Sequence, residues 1–151
     1  MEIDEVSGIV VDECIAIHRE LGPGLFENVY EAVLAGRLGH RGLKVERQVP
    51  VPITFDGQVF DPAFRLDLLV EDRLVLEIKA VERLTQTHIR QLLTYLRLLR
   101  QPVGLLLNFS QGTMKDGIRR VANDHNSRPF SRVSLSSVSL RETNKDTSND
   151  A

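Results

Sequence analysis

The 151 residues are 42% hydrophobic and 26% charged, a balance that suits a single globular domain with a proper core and excludes a polar, core-less chain. The net charge of -2 and pI near 6.1 exclude the global basic field that drives non-specific nucleic-acid binding, although a local basic rim is still allowed. No apolar run approaches the roughly 20 residues of a membrane span, and the acidic, polar start MEIDEVSG is unlike a secretory signal, so a cytoplasmic protein with no membrane partner is expected.

In chain order, Ile3, Val6, Val10, Cys14, Ile17 and Leu21 recur at helical spacing and predict a first helix of about five turns. The lone Cys14 cannot form an internal disulfide and falls on that apolar stripe, so it reads as an inert core thiol. Cys14 and His18 have a metal-like i, i+4 spacing but lack two further ligands. Gly22-Pro23-Gly24 ends the helix. A second helix is predicted from about Leu25 to Arg41, burying Phe26, Val29, Val33 and Leu34, with Glu27 in its first turn where the helix dipole favours an acid.

Lys44 to Phe55 alternates loosely, and Pro50 and Pro52 argue for an edge strand. Asp56-Gly57 signals a hairpin turn into a short strand near Val59 and Phe60, which Pro62 interrupts. The stretch RLDLLVEDRLVLEIKA from Arg65 to Ala80 reads as a second hairpin, with two branched apolar runs around a polar turn. Thr85 is placed to cap a helix with the stripe Ile89, Leu92, Leu93, Leu96 and Leu99, whose other face carries His88, Gln91 and Tyr95 in one line. Pro102 stops it. Val103 to Phe109 is a strand covered on both faces, a last helix is expected around Met114 to Asn123, and the Ser-rich residues 126–151 read as a disordered tail in which RVSLSSVSL forms a transient strand.

Register makes the Arg65–Ala80 hairpin informative, because slipping a strand by one residue flips every side chain to the other face. A connection of Glu71, Asp72 and Arg73 sets Val70 opposite Leu74, Leu68 opposite Leu76 and Leu66 opposite Ile78 on one buried face. The other face then sets Asp67 opposite Glu77, and Arg65 opposite Lys79. Two carboxylates so opposed repel unless a cation lies between them. The alternative is a solvated face whose charges pair diagonally with Arg65 and Lys79.

The residues GLFENVY at positions 24–30 fit the pattern GxxExxY. With ERQVPVPITFDG, RLDLLVEDRLVLEIKAVERLT, HIRQLLTYL and PVGLLLNF, the chain from about residue 8 to 122 resembles the GxxExxY protein family, placed in the PD-(D/E)XK nuclease superfamily. The resemblance implies an α/β fold, a mixed sheet of about four strands flanked by helices, over residues 1–125. It maps the superfamily's aspartate onto Asp67, its E-x-K pair onto Glu77 and Lys79, its helical glutamate onto Glu27 and its following glutamine onto Gln91. The proline of the superfamily's name is absent, since Leu66 precedes Asp67.

The resemblance also implies Mg²⁺ or Mn²⁺ as cofactor and nucleic acid as partner, DNA ahead of RNA, with a homodimer as an allowed assembly. Asp67, Glu77 and Glu27 are then the metal ligands. Chemically this is coherent, because Mg²⁺ takes hard oxygen ligands, needs only one or two carboxylates besides phosphate and water, and lowers the pKa of water for attack on a phosphodiester. Lys79 is assigned to water or transition-state charge, Gln91 to a water or phosphate oxygen, and Tyr30 and Tyr95 to support. The competing expectation is a catalytically silent module of the same fold that binds nucleic acid or a protein.

Overall fold

The computed structural model describes residues 1–124 of the chain. The expected boundary after residue 125, the disordered tail and the transient strand in RVSLSSVSL lie outside these residues. Among the described residues no helix is long and apolar enough to cross a membrane.

Helix α1 spans Ile3–Leu21 and buries Val6, Val10, Cys14 and Ile17, while Leu21 at its end stays 44% exposed. Burial pushes the Cys14 thiol well up, as an inert core thiol requires. The Gly22 N–H closes the helix on the His18 carbonyl, and Gly22 and Gly24 take φ values of 69° and 107°. Those positive values favour glycine, which has no Cβ to clash there. His18 is occupied in holding a loop, its Nε2 lying 2.9 Å from the Gln111 carbonyl.

Helix α2 spans Glu27–His40, two residues shorter at its start than the sequence suggests. Its buried side chains are Tyr30, Glu31, Leu34 and Leu38, and the expectation that Phe26 and Val29 are core residues fails, since they are 83% and 37% exposed. The reason lies in Tyr30. Its hydroxyl donates to the Gly22 carbonyl at 2.6 Å and accepts from the Leu25 N–H at 3.2 Å, and its ring stacks on Phe109 with centroids 4.4 Å apart. This fixes the roll of α2 so that the stripe 30, 34, 38 faces inward, while Phe26, at the N-cap with extended backbone (φ -69°, ψ 151°), stands outside the helix and faces solvent.

A long antiparallel hairpin follows, β1 (Val45–Phe55) and β2 (Gln58–Val70), joined by Asp56 and Gly57, both at positive φ as a tight hairpin turn demands. Strand β1 is an edge strand, as its prolines indicate, and the register shifts between Val51 and Ile53, where Pro52 has no N–H to give. Contrary to expectation, β2 runs unbroken through Pro62. A three-residue connection, with Glu71 and Asp72 at φ 54°, leads into β3 (Leu74–Lys79).

Helix α3 (Gln86–Leu99), with Thr85 at its N-cap, then carries the chain across to β4 (Val103–Asn108), which lies parallel to β3 and is buried along its whole length. After a single turn α4 (Met114–Gly117), residues Ile118–Ala122 form β5 antiparallel to β4. The helix expected over Met114 to Asn123 is thus a turn and a strand, and the sheet has five strands in the order β1-β2-β3-β4-β5. Two contacts explain it. A Cβ on Gly117 would run into the Asn108 carbonyl, so the chain packs backbone against backbone there, and β5 gives β4 its second hydrogen-bonded neighbour.

Apolar burial divides into two cores, one on each face of the sheet. Helices α1 and α2 cover Leu68, Val70, Leu74, Leu76, Ile78, Leu105 and Leu107. Helix α3 covers Val49, Val51, Leu66, Leu69, Val75 and Leu106.

Candidate active site

Strand alternation predicts that Leu66 shares a face with Leu68 and Val70. It does not. Leu68 and Val70 belong to the α1/α2 core, whereas Leu66 belongs to the α3 core with its partner Val49. Strand β1 inverts at the same level, because the Arg47 guanidinium reaches Glu31 on α2 while Val49 faces α3. Both strands therefore turn over at Gln48 and Asp67.

That inversion takes Asp67 out of the regular pleat. The β2–β3 ladder ends at Leu68 opposite Leu76, and the next amide, Ile78 N–H, donates instead to the Asp67 carboxylate Oδ2 at 2.8 Å. In return the Asp67 N–H lies 3.4 Å from Glu77 Oε1. Leu66 and Ile78, expected to face each other on one buried face, lie on opposite faces of the sheet. Asp67 and Glu77 do meet.

The solvated-face alternative fails for Glu77, which is 5% exposed. Burial, reinforced by the charge of Asp67, pushes the Glu77 carboxyl up to about 9, although the nearby Lys79 ammonium opposes the shift. Asp67 is raised by burial as well, and by the charge of Glu31, against the lowering effect of its bond from Ile78. Tyr95, stacked on Phe64 at 4.1 Å, has its phenol raised by burial and by the charges of the same two acids. Two adjacent acids whose charged forms are disfavoured are the donor set a hard divalent cation stabilises.

Of the remaining expected residues, Lys79 and Glu27 stand at the end of β3 that carries Glu77. Lys79 ends β3 two residues beyond Glu77, half-buried, with its carbonyl accepting from the Phe109 N–H at 3.0 Å. Glu27 reaches the same end of β3 from α2, its Oε1 accepting the Ala80 N–H at 3.1 Å. The GxxExxY spacing thus acquires a physical account. The glycine gives the turn, Tyr30 locks that turn, and Glu27 in the first helical turn clasps the chain leaving β3. Gln91 is exposed on α3, and His88 is occupied at the helix start by the Thr85 N–H, 3.0 Å from its Nδ1. Among the described residues no three of His, Cys, Asp and Glu converge as a ready cage for a metal.

A known family profile, that of the PD-(D/E)XK nuclease superfamily, matches residues 4–121, the stretch that contains all of these residues. The chain belongs to the PD-(D/E)XK nuclease superfamily. Among solved structures this PD-(D/E)XK chain resembles the crystal structure of the protein SSO0001, with a TM-score of 0.50 and 18% identity. The similarity covers 83% of this chain and 59% of that one, so it speaks to the fold. No curated protein matches the sequence.

Three side chains of this PD-(D/E)XK chain escape a reading of the sequence. Glu31, 4% exposed, is held by Arg47 at 3.0 and 3.1 Å and by Gln48 Nε2 at 2.6 Å. Gln48 Nε2 in turn lies 3.4 Å from Asp67 Oδ1. Asn108, fully buried, accepts from the Val81 N–H at 3.1 Å and donates to the Val81 carbonyl at 2.8 Å, holding the chain just beyond Lys79. Asn108 had a signal, a lone amide ending an apolar run. Glu31 lies one turn after Glu27, and Gln48 gives no signal at all.

Proposed function

We propose that the protein is a divalent-metal-dependent nuclease that hydrolyses phosphodiester bonds of nucleic acid, DNA ahead of RNA. The observation that carries this reading is the pair formed by buried Glu77 and half-buried Asp67 beside Lys79, two acids disfavoured as anions yet in contact through the Asp67 N–H and Glu77 Oε1. Asp67 and Glu77 would hold Mg²⁺ or Mn²⁺, with Glu27 entering from α2. The cation, when bound, neutralises phosphate charge and makes water a stronger nucleophile near neutral pH. Lys79 supplies a positive charge for the developing phosphate charge or a hydrogen bond to the attacking water, and Gln91 positions a water or phosphate oxygen. Arg65, Arg83 and Arg90, all exposed, provide the basic rim that an acidic chain needs to meet phosphates.

The test is a pair of measurements on wild type. Mn²⁺ should raise the melting temperature, as a ligand bound only by the folded state must, and should support cleavage in a panel of single-stranded, double-stranded and branched DNA and RNA. A thermal shift without cleavage of any substrate would support a binding module. A metal-indifferent, inactive protein would remove the nuclease reading.

A further inference from the structure

Among the described residues, left-handed backbone at a non-glycine position occurs at Asp56, Glu71 and Asp72 in turns, at Arg100 closing α3, and at Gln48 inside β1. The first four are where such geometry belongs. Gln48, at φ 51°, is not in a turn, and glutamine has none of the short side-chain hydrogen bonds that let asparagine sit there. An outlier of this kind inside a strand is maintained by its surroundings and points to use.

Three observations converge on what that use is. The left-handed residue stands where both β1 and β2 exchange faces, with Arg47 and Leu68 directed to the α1/α2 side and Val49 and Leu66 to the α3 side. The inversion releases Asp67 from the ladder so that its carboxylate takes the Ile78 N–H. The Gln48 amide then lies between two acids, 2.6 Å from Glu31 Oε1 and 3.4 Å from Asp67 Oδ1, and only its amine end can face both, since a carbonyl oxygen there would repel each. Glu31 is itself fixed through two bonds from Arg47. A chain of contacts thus runs from Arg47 through Glu31 and Gln48 to Asp67 and ends on the backbone of β3.

We infer that Gln48 is a positioning residue, whose left-handed backbone inverts the pleat opposite Asp67 and whose amide, anchored on Glu31, holds the Asp67 carboxylate in the orientation that receives a divalent cation. The cation part of this statement rests on the proposed function. The orientation part does not.

Two variants remove the amide, one of them with a backbone that takes positive φ freely. Gln48→Gly adopts positive φ without cost but has no amide, and Gln48→Met keeps the length but donates no hydrogen bond. Amide hydrogen exchange reads the orientation of Asp67 directly, because the Ile78 N–H is held by that carboxylate while Val75 and Leu76 lie in the regular ladder and report global stability. In both variants Ile78 protection should fall about tenfold relative to Val75 and Leu76, and Mn²⁺ affinity by calorimetry should fall about tenfold or more, the scale seen when a partner behind a metal ligand is lost. If Gln48→Met does not fold, Gln48→Gly decides alone. Unchanged Ile78 protection in a folded variant overturns the inference. Should wild type bind no Mn²⁺, the nuclease reading falls, and the Ile78 measurement still decides for or against Gln48.

Discussion

The two ends of the β2–β3 hairpin obey different rules. Near the turn, Val70 opposes Leu74 and Leu68 opposes Leu76 in a regular antiparallel ladder, with fully buried apolar side chains. At the open end, one residue farther from the turn on β2, a carboxylate replaces the backbone acceptor for Ile78, and Glu77 is buried with its proton favoured. The closed end builds the core. The open end gives up ladder geometry to present two acids, and its apolar residues Leu66 and Ile78 are buried on opposite faces of the sheet, so alternation describes this hairpin only where backbone pairs with backbone.

Substitution at neighbouring positions sharpens this contrast. Leu76→Ala, at a fully buried ladder position, should destabilise by about 2 to 5 kcal/mol in chemical denaturation. A cost below about 1 kcal/mol would mean that the closed end is not close-packed. Lys79→Ala, at the open end, should lower Mn²⁺-dependent cleavage by about 10²- to 10³-fold, the scale of removing one charge-stabilising donor, while Mn²⁺ binding is retained. Turnover equal to wild type would remove Lys79 from the mechanism.

Glu77→Gln tests the sign of the contrast. A carboxyl that ionises near 4.5 when unfolded but near 9 when folded leaves the native state holding one more proton between those values, so metal-free stability falls as pH rises from 4.5 to 9. Glutamine is neutral throughout. The variant should therefore melt higher than wild type at pH 8, by an increment on the order of 1 to 3 kcal/mol, and lose most of that pH dependence. If wild-type stability is flat over this range, Glu77 ionises in the fold as it does in the unfolded chain, and its burial at the open end carries no charge penalty.

The smallest effect is expected at the clasp. Tyr30→Phe leaves the Gly22 carbonyl without its 2.6 Å donor and should cost about 1 to 1.5 kcal/mol. Because Tyr30 sets the roll of α2, the Ala80 N–H held by Glu27 should also exchange faster than the Leu76 N–H. Equal acceleration at both amides would show that Tyr30 contributes only general packing.

The sequence by itself determined the parts governed by local rules. Periodicity located α1, α2 and α3, prolines marked β1 as an edge, Asp56-Gly57 supplied the hairpin turn, and the polar residues Glu71 to Arg73 set the register that brings Asp67 to Glu77. Residues 24–30 and the Asp67, Glu77, Lys79 spacing were enough to suggest the superfamily. Tertiary structure decided what depends on contacts between distant segments. The roll of α2 follows from a bond between Tyr30 and Gly22, β5 forms because Gly117 lets the chain close against Asn108, and the pleat inverts because Gln48, Glu31 and Asp67 meet from three elements. Hydrophobic pattern reports which face a side chain prefers, but it assumes a continuous pleat, and only the packed sheet shows where that pleat turns over.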